Sequence, residues 1–248
     1  MRILVVNVNT SETITEAIRG QARRHAGPGT EIEALTPWFG PDSCEGNFDS
    51  YLAAVAVMDR VLAYDRPYHA VVHAGFGEHG REGLQELLDV PVVDITDAAA
   101  HLACLLGHRY SVVTTLDRTV PLIEDRLLLA GLDRRCASVR STGLGVLDLE
   151  RDQTRTLDAI TAQAVQAVRE DHAEVICLGC AGMAGLDEKI QAATGVPVID
   201  GVAAAVALAE ALHHLGLSTS KTRTYAPPRA KTIHGWPLPR QPGRPPPS

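Results

Sequence analysis

A chain of 248 residues with 45% hydrophobic and 21% charged residues can bury a sizeable core, as one domain or as two lobes of roughly 100–120 residues each. A net charge of −7, with no basic stripe interleaved with aromatics, excludes nucleic acid as an expected partner, and no apolar run approaches the roughly 18–20 residues of a membrane span. The cysteines at 44, 104, 136, 177 and 180 are odd in number and scattered, so no disulfide framework is expected.

The chain opens with Met1-Arg-Ile-Leu-Val-Val, a strand pattern over 3–6 without the apolar core of a signal peptide, and cytoplasm is the expected location. A polar turn, Asn7-Val-Asn9-Thr-Ser, then carries cap-type residues into an amphipathic helix over 12–26, and a second helix is expected over 50–64. Residues 70–73 read as a buried strand, followed by the Gly-rich turn Ala74-Gly75-Phe76-Gly77-Glu78-His79-Gly80, a short helix, and a Val-Pro-Val strand over 92–95. Further strands are expected at 111–114, 175–178 and 198–199, with helices at 120–130 and 157–170. From Ser218 the composition turns to Pro, Arg and Lys, and 226–248 reads as a poorly ordered tail.

Two stretches repeat one pattern. Tyr68-His-Ala-Val-Val-His-Ala-Gly75-Phe-Gly followed by Val90-Pro-Val-Val-Asp94 matches Ala173-Glu-Val-Ile-Cys-Leu-Gly-Cys180-Ala-Gly followed by Val196-Pro-Val-Ile-Asp200. The opening strand and the segment from Tyr110 extend the match, so each half reads strand–helix–strand–helix–strand. The expected architecture is α/β: two pseudo-symmetric Rossmann-like lobes, each a parallel sheet flanked by helices, with an active site between them. The first lobe is placed at 1–97 plus 203–225 and the second at 98–202.

In parallel sheets the ligand crevice lies at the carboxyl ends of the strands. By that rule Asn7, Asn9, Gly75, Phe76, Gly77, Thr114, Thr115, Gly179, Ala181 and Gly182 are the expected substrate-binding positions, and Cys180 the expected catalytic group. Small residues around Cys180 leave backbone N–H groups free to hold an anion and to lower the thiol pKa. Cys177 and Cys180 form a C-x-x-C, but they point to opposite faces of a strand, which argues against redox or zinc chemistry. His73, Glu78 and His79 are too few for a metal site, because His73 falls inside the strand; no metal and no cofactor are expected. On the Gly75 side of that strand, His73 is the candidate substitute base. Asp94 and Asp200 read as scaffold.

The motifs Met1–Ser11, Gly46-Asn-Phe-Asp49, Ala74–Gly80, Leu178-Gly-Cys-Ala-Gly-Met183, Gly195–Asp200 and Leu215–Lys221 together resemble the hydantoin racemases, relatives of the allantoin, aspartate and glutamate racemases. The resemblance runs from Met1 to about Tyr225. It implies cofactor-independent proton transfer at a carbon next to a carbonyl, a small-molecule substrate and a homo-oligomer. In that family two cysteines flank the substrate carbon, one removing and one delivering the proton. Here Cys180 matches the second cysteine, while Gly75 stands at the first, His79 replaces a proline, and Val8 replaces the proline of Asn-Pro-Asn. A lone cysteine opposite a glycine is also similar to the arylmalonate decarboxylases, so a one-cysteine lyase stands as an alternative, and an inactive small-molecule binder as another. The altered neighbours Val8 and His79 favour natural divergence over an engineered change at Gly75.

Overall fold

In the computed structural model, which describes residues 1–232, the Val/Ile runs form strands buried on both faces and the amphipathic stretches form the helices that cover them. The first half runs β1 (Arg2–Asn7), α1 (Glu12–His25), β2 (Glu31–Leu35), α2 (Asn47–Leu62), β3 (Ala70–Ala74), α3 (Arg81–Leu87), β4 (Val92–Asp94) and α4 (Ile95–Leu106). The second half runs β5 (Tyr110–Thr114), α5 (Val120–Leu129), β6 (Cys136–Ser141), α6 (Asp148–Arg151), α7 (Gln153–Glu170), β7 (Val175–Leu178), α8 (Asp187–Thr194), β8 (Val198–Ile199) and α9 (Gly201–His214). Each half forms a four-stranded parallel sheet, ordered β2-β1-β3-β4 and β6-β5-β7-β8.

The expected α/β fold with two like sheets is therefore present, with one more strand per half than the sequence pattern indicated. The additional strands, β2 and β6, are sheet edges. Glu31-Ile-Glu-Ala-Leu alternates exposed and buried side chains, and every residue of β6 is only partly buried. Such one-sided strands lack the continuous apolar run by which doubly covered strands are recognised.

The two sheets also agree in register. Ile3 pairs with Ala70 in the first, and Tyr110 with Val175 in the second. Five residues further on, Gly75 and Cys180 hold equivalent places just beyond the carboxyl ends of β3 and β7.

The helices that follow β4 and β8 cross over. Asp94 and Asp200 start them in the same way, their carboxylates accepting from Asp97 N (2.7 Å) and from Val202 N and Ala203 N (2.8 and 3.0 Å). Helix α9 packs on α1, β3 and β4 of the first sheet, whereas α4 packs against β7, β5 and β8 as well as its own sheet, and the two helices pack on each other. No helix among the described residues is long and apolar enough to cross a membrane. The expected tail falls largely at 233–248, outside the described residues.

Candidate active site

The carboxyl ends of β1, β3, β5 and β7 converge on a narrow cavity of about 50 Å³. It adjoins a wider chamber of about 270 Å³, with which it shares Cys44, Phe76, His79 and Thr119. Nine of the expected positions line the narrow cavity: Asn7, Asn9, Gly75, Phe76, Thr114, Thr115, Gly179, Cys180 and Ala181.

On the first sheet, Asn7 is buried at the end of β1, and its amide donates to Asn9 Oδ1 (2.8 Å), Thr15 Oγ1 (3.0 Å) and Ser11 O (3.1 Å). Ser11, not either asparagine, caps α1 by accepting from Ile14 N. Asn9 Oδ1 also accepts from Ser11 N (3.0 Å), so this loop is braced against the first turn of α1. On the second sheet, Thr114 Oγ1 donates to Gly179 O (3.2 Å). Gly179 packs tightly onto β5: a Cβ there would lie 2.7 Å from Val112 Cγ1 and 2.9 Å from Val113 O. That close approach brings Cys180 to the cavity wall.

Cys180 precedes a single 3-10 turn, Ala181–Met183, and its Sγ accepts from Gly182 N at 3.4 Å. Burial pushes the thiol up to about 11, against the opposing pull of the Gly182 N–H, and Glu45 adds to the rise. The expected lowering of this pKa is therefore reversed. One N–H contact does not offset desolvation of the thiolate at this cavity wall.

The β3–α3 turn is held by two glycines with positive φ, Gly77 at +120° and Gly80 at +94°. Gly77 N donates to Thr96 Oγ1 (2.8 Å), and Gly77 borders the wider chamber rather than the narrow cavity. Gly182 likewise lies off the narrow cavity, spending its N–H on Cys180. This turn folds back so that the His79 imidazole reaches the cavity. A Cβ built on Gly75 would sit 2.5 Å from His79 Cδ2 and 2.5 Å from Val8 Cγ1.

His73 is placed differently from expectation. Its ring is fully buried, it does not line either cavity, and its Nε2 hydrogen-bonds the carbonyl of His79 at 3.0 Å. Burial holds it down to about 3. The imidazole at the cavity is that of His79, 93% buried, with the desolvated ring held to about 4 and hydrogen bonding to the Phe76 backbone partly opposing the shift. Cys44, from the loop before α2, also lines the narrow cavity; its thiol donates to Val8 O (3.4 Å) and burial pushes it up to about 12. Neither residue is marked by spacing in the sequence, since each arrives through a loop. Among the described residues no three His, Cys, Asp or Glu side chains are grouped to hold a metal ion.

Behind His79 lies an ionic cluster that joins the halves. Arg126 of α5 is buried, its guanidinium 2.7 Å from Glu82, 3.2 Å from Glu78 and 3.3 Å from Asp94. Arg81 pairs with Asp94 and Asp97 in the same cluster. Burial raises Glu78 to about 7, and burial with the neighbouring Asp97 charge raises Asp94 to about 6.

A family profile described as Asp/Glu/Hydantoin racemase matches residues 3–209. The chain belongs to that family. It is 39% identical over 236 residues to a hydantoin racemase of Pseudomonas sp. (strain NS671), covering 95% of each chain. It superposes on the crystal structure of an allantoin racemase from Pseudomonas fluorescens with TM-score 0.93 and 70% identity, covering 95% of this chain and 100% of that one. An unliganded arylmalonate decarboxylase, 20% identical, shares the fold alone: TM-score 0.56 over 85% of this chain and 91% of that one. Membership of the racemase family makes this chain an enzyme of the isomerase class, and its two-sheet architecture is the family's.

Proposed function

We propose that the protein is a cofactor-independent racemase of hydantoin-type cyclic ureides, a class that includes allantoin, with Cys180 as one proton-transfer group. The observation that carries this reading is a thiol at the end of β7, facing a cavity enclosed by the strand ends of both sheets. The named relatives, one a hydantoin racemase and one an allantoin racemase, support the substrate class.

The ring carbon of such a substrate is acidic because the adjacent carbonyl accepts the charge as an enolate. With a thiol held near 11, Cys180 is protonated at neutral pH and acts first as a general acid. The thiolate it leaves is stabilised by the Gly182 N–H, already directed at sulfur. Gly77 N and Gly182 N are engaged, which leaves the N–H groups of Gly75, Phe76 and Ala181 as candidate donors to the enolate oxygen. Asn9, whose carboxamide oxygen is taken by Asn7 and Ser11, offers its NH2, and Thr115 its hydroxyl, to the polar edge of the ring.

The test is polarimetry on single enantiomers of allantoin and of a 5-substituted hydantoin, against an enzyme-free blank. Rotation is expected to decay faster than the blank, and Cys180→Ala is expected to slow it by about 10²–10⁴-fold, the usual contribution of a positioned acid or base. Equal decay for both proteins would refute the reading. A one-cysteine decarboxylase is the second reading, favoured by the equivalence of Gly75 and Cys180 in register. CO₂ release from an arylmalonate, with no loss of rotation from the ureides, would select it.

A further inference from the structure

We propose that Glu45 is a positioning residue of the proton-transfer site: its carboxylate latches a loop of the first half to a loop of the second and so draws the wall of the narrow cavity around the substrate ring. The inference rests on the racemase reading and concerns what holds the two halves at working distance from the reacting carbon.

Glu45 follows Cys44 in the loop before α2, and its Oε1 accepts from Val146 N at 3.0 Å, across the two halves. Cys44 and Val146 both line the narrow cavity, so this one hydrogen bond joins two stretches of its wall. Gly145 lets the carboxylate approach, since a Cβ there would lie 3.3 Å from Glu45 Oε1. Next along the first loop, Gly46 packs under Arg118 of the second half, whose Nη2 lies 2.7 Å from where a Cβ at 46 would be. Each loop is fastened in turn to a strand end of the site. Thr10 N donates to Pro41 O (3.0 Å) and the Cys44 thiol to Val8 O (3.4 Å), beside β1. Thr142 N donates to Thr114 O (2.9 Å) and Gly143 N to Thr115 O (2.8 Å), at the end of β5. Asp49 Oδ2 steadies the latch by accepting from Glu45 N (3.0 Å).

The size of the cavity gives the latch its work. About 50 Å³ holds roughly four water-sized spheres of about 10–15 Å³ each, less than a five-membered ring with two carbonyl oxygens needs. Room is made by parting the loops of Cys44 and Val146, which belong to opposite halves, and Glu45 draws them back once the ring is in. Arg126 ties the halves beside the wider chamber; Glu45 ties them at the narrow cavity. Glu45 itself lines neither cavity and acts through its neighbours. Its charge reaches both thiols of the wall, adding to the rise at Cys180 and at Cys44. Reach and charge are separable. Gln places an amide oxygen at the same distance without the charge, whereas Asp keeps the charge and falls one methylene short of Val146 N.

The experiment measures kcat and KM by polarimetry on a single enantiomer of allantoin, blank subtracted, for the unmodified chain, Glu45→Ala, Glu45→Asp and Glu45→Gln. Hydrogen exchange of the 142–149 segment is followed in parallel. Glu45→Ala and Glu45→Asp are expected to lower kcat by about ten- to a hundredfold, the scale of a displacement of about 1 Å at the reacting carbon. Glu45→Gln is expected to lose no more than about threefold, because an uncharged acceptor still holds Val146 N. The Val146 amide is expected to exchange at least about tenfold faster in the Ala and Asp variants and near the unmodified rate in Gln. A kcat within about twofold of the unmodified chain in Glu45→Ala, or a loss in Gln with Asp spared, would overturn the latch and leave the racemase reading intact. No decay above the blank for the unmodified chain would remove the racemase reading and the latch with it. Should the Ala and Asp variants melt well below the unmodified chain, the unmodified chain decides. Its Val146 amide is expected to exchange at least about threefold slower with saturating allantoin, as the occupied cavity favours the latched state; unchanged exchange counts against the latch.

Discussion

At position 75 the backbone carries no side chain, and Val8 and the His79 imidazole already fill the space a Cβ would take. Duplication made Gly75 and Cys180 legible as a pair, because buried strands and Val-Pro-Val runs align without knowledge of the fold. His79 was legible only as a histidine in a turn. Its approach to the cavity depends on φ values at Gly77 and Gly80 that no local pattern states. The buried histidines also set a pH dependence. His73 and His79 have folded pKa values of about 3 and 4, below the ordinary 6.5, so between those limits the unfolded chain binds more protons than the native one. Stability therefore falls as the pH drops from about 6.5 towards 4. The His79 share is on the order of 3 kcal/mol. Urea denaturation across this range should show a shallower fall for His79→Asn than for the unmodified chain; parallel curves would contradict the buried neutral ring.

Among the elements, central strands were readable and edge strands were not. Val71-Val72 in β3 and Val175-Ile176 in β7 are buried on both faces, whereas the glutamates of β2 face outward and β6 is nowhere fully buried. The β3–α3 turn has the largest functional consequence, since it carries Phe76, Gly77 and His79 past the cavity. Gly80 closes it at φ +94°, and a Cβ there would lie 2.8 Å from Ala54 Cβ and 3.0 Å from Ala54 Cα on α2. Backbone cannot yield as a flexible side-chain tip would. Gly80→Ala is expected to cost about 1–3 kcal/mol from the combined strain and overlap. A lowered denaturation midpoint would register it, and an unchanged midpoint would contradict the close packing of Gly80 on α2.

Across the whole molecule, contact between the halves is polar as well as apolar. Arg126 from the second half is only 3% exposed and meets three carboxylates of the first within 3.3 Å. Removing a buried charge that neutralises others leaves them unpaired, so Arg126→Leu is expected to destabilise by about 3–5 kcal/mol. A lowered urea midpoint would register it, and an unchanged midpoint would mean that Arg81 alone suffices for Asp94. The sequence pointed to two lobes and a site between them, but Arg126 lies mid-helix and its partners come from three separate segments.

The reciprocal placement of α4 and α9 has the form of a segment-swapped dimer drawn into a single polypeptide. A closed twofold pair of identical chains must present the same residue twice at its axis. Covalent fusion lifts that identity requirement. Once both halves are encoded separately, one strand end can keep a thiol at Cys180 while its counterpart at Gly75 carries no side chain. The crossed helices hold the unlike halves in the geometry of like ones, so the chemistry of the site is free to become asymmetric while the frame around it stays symmetric.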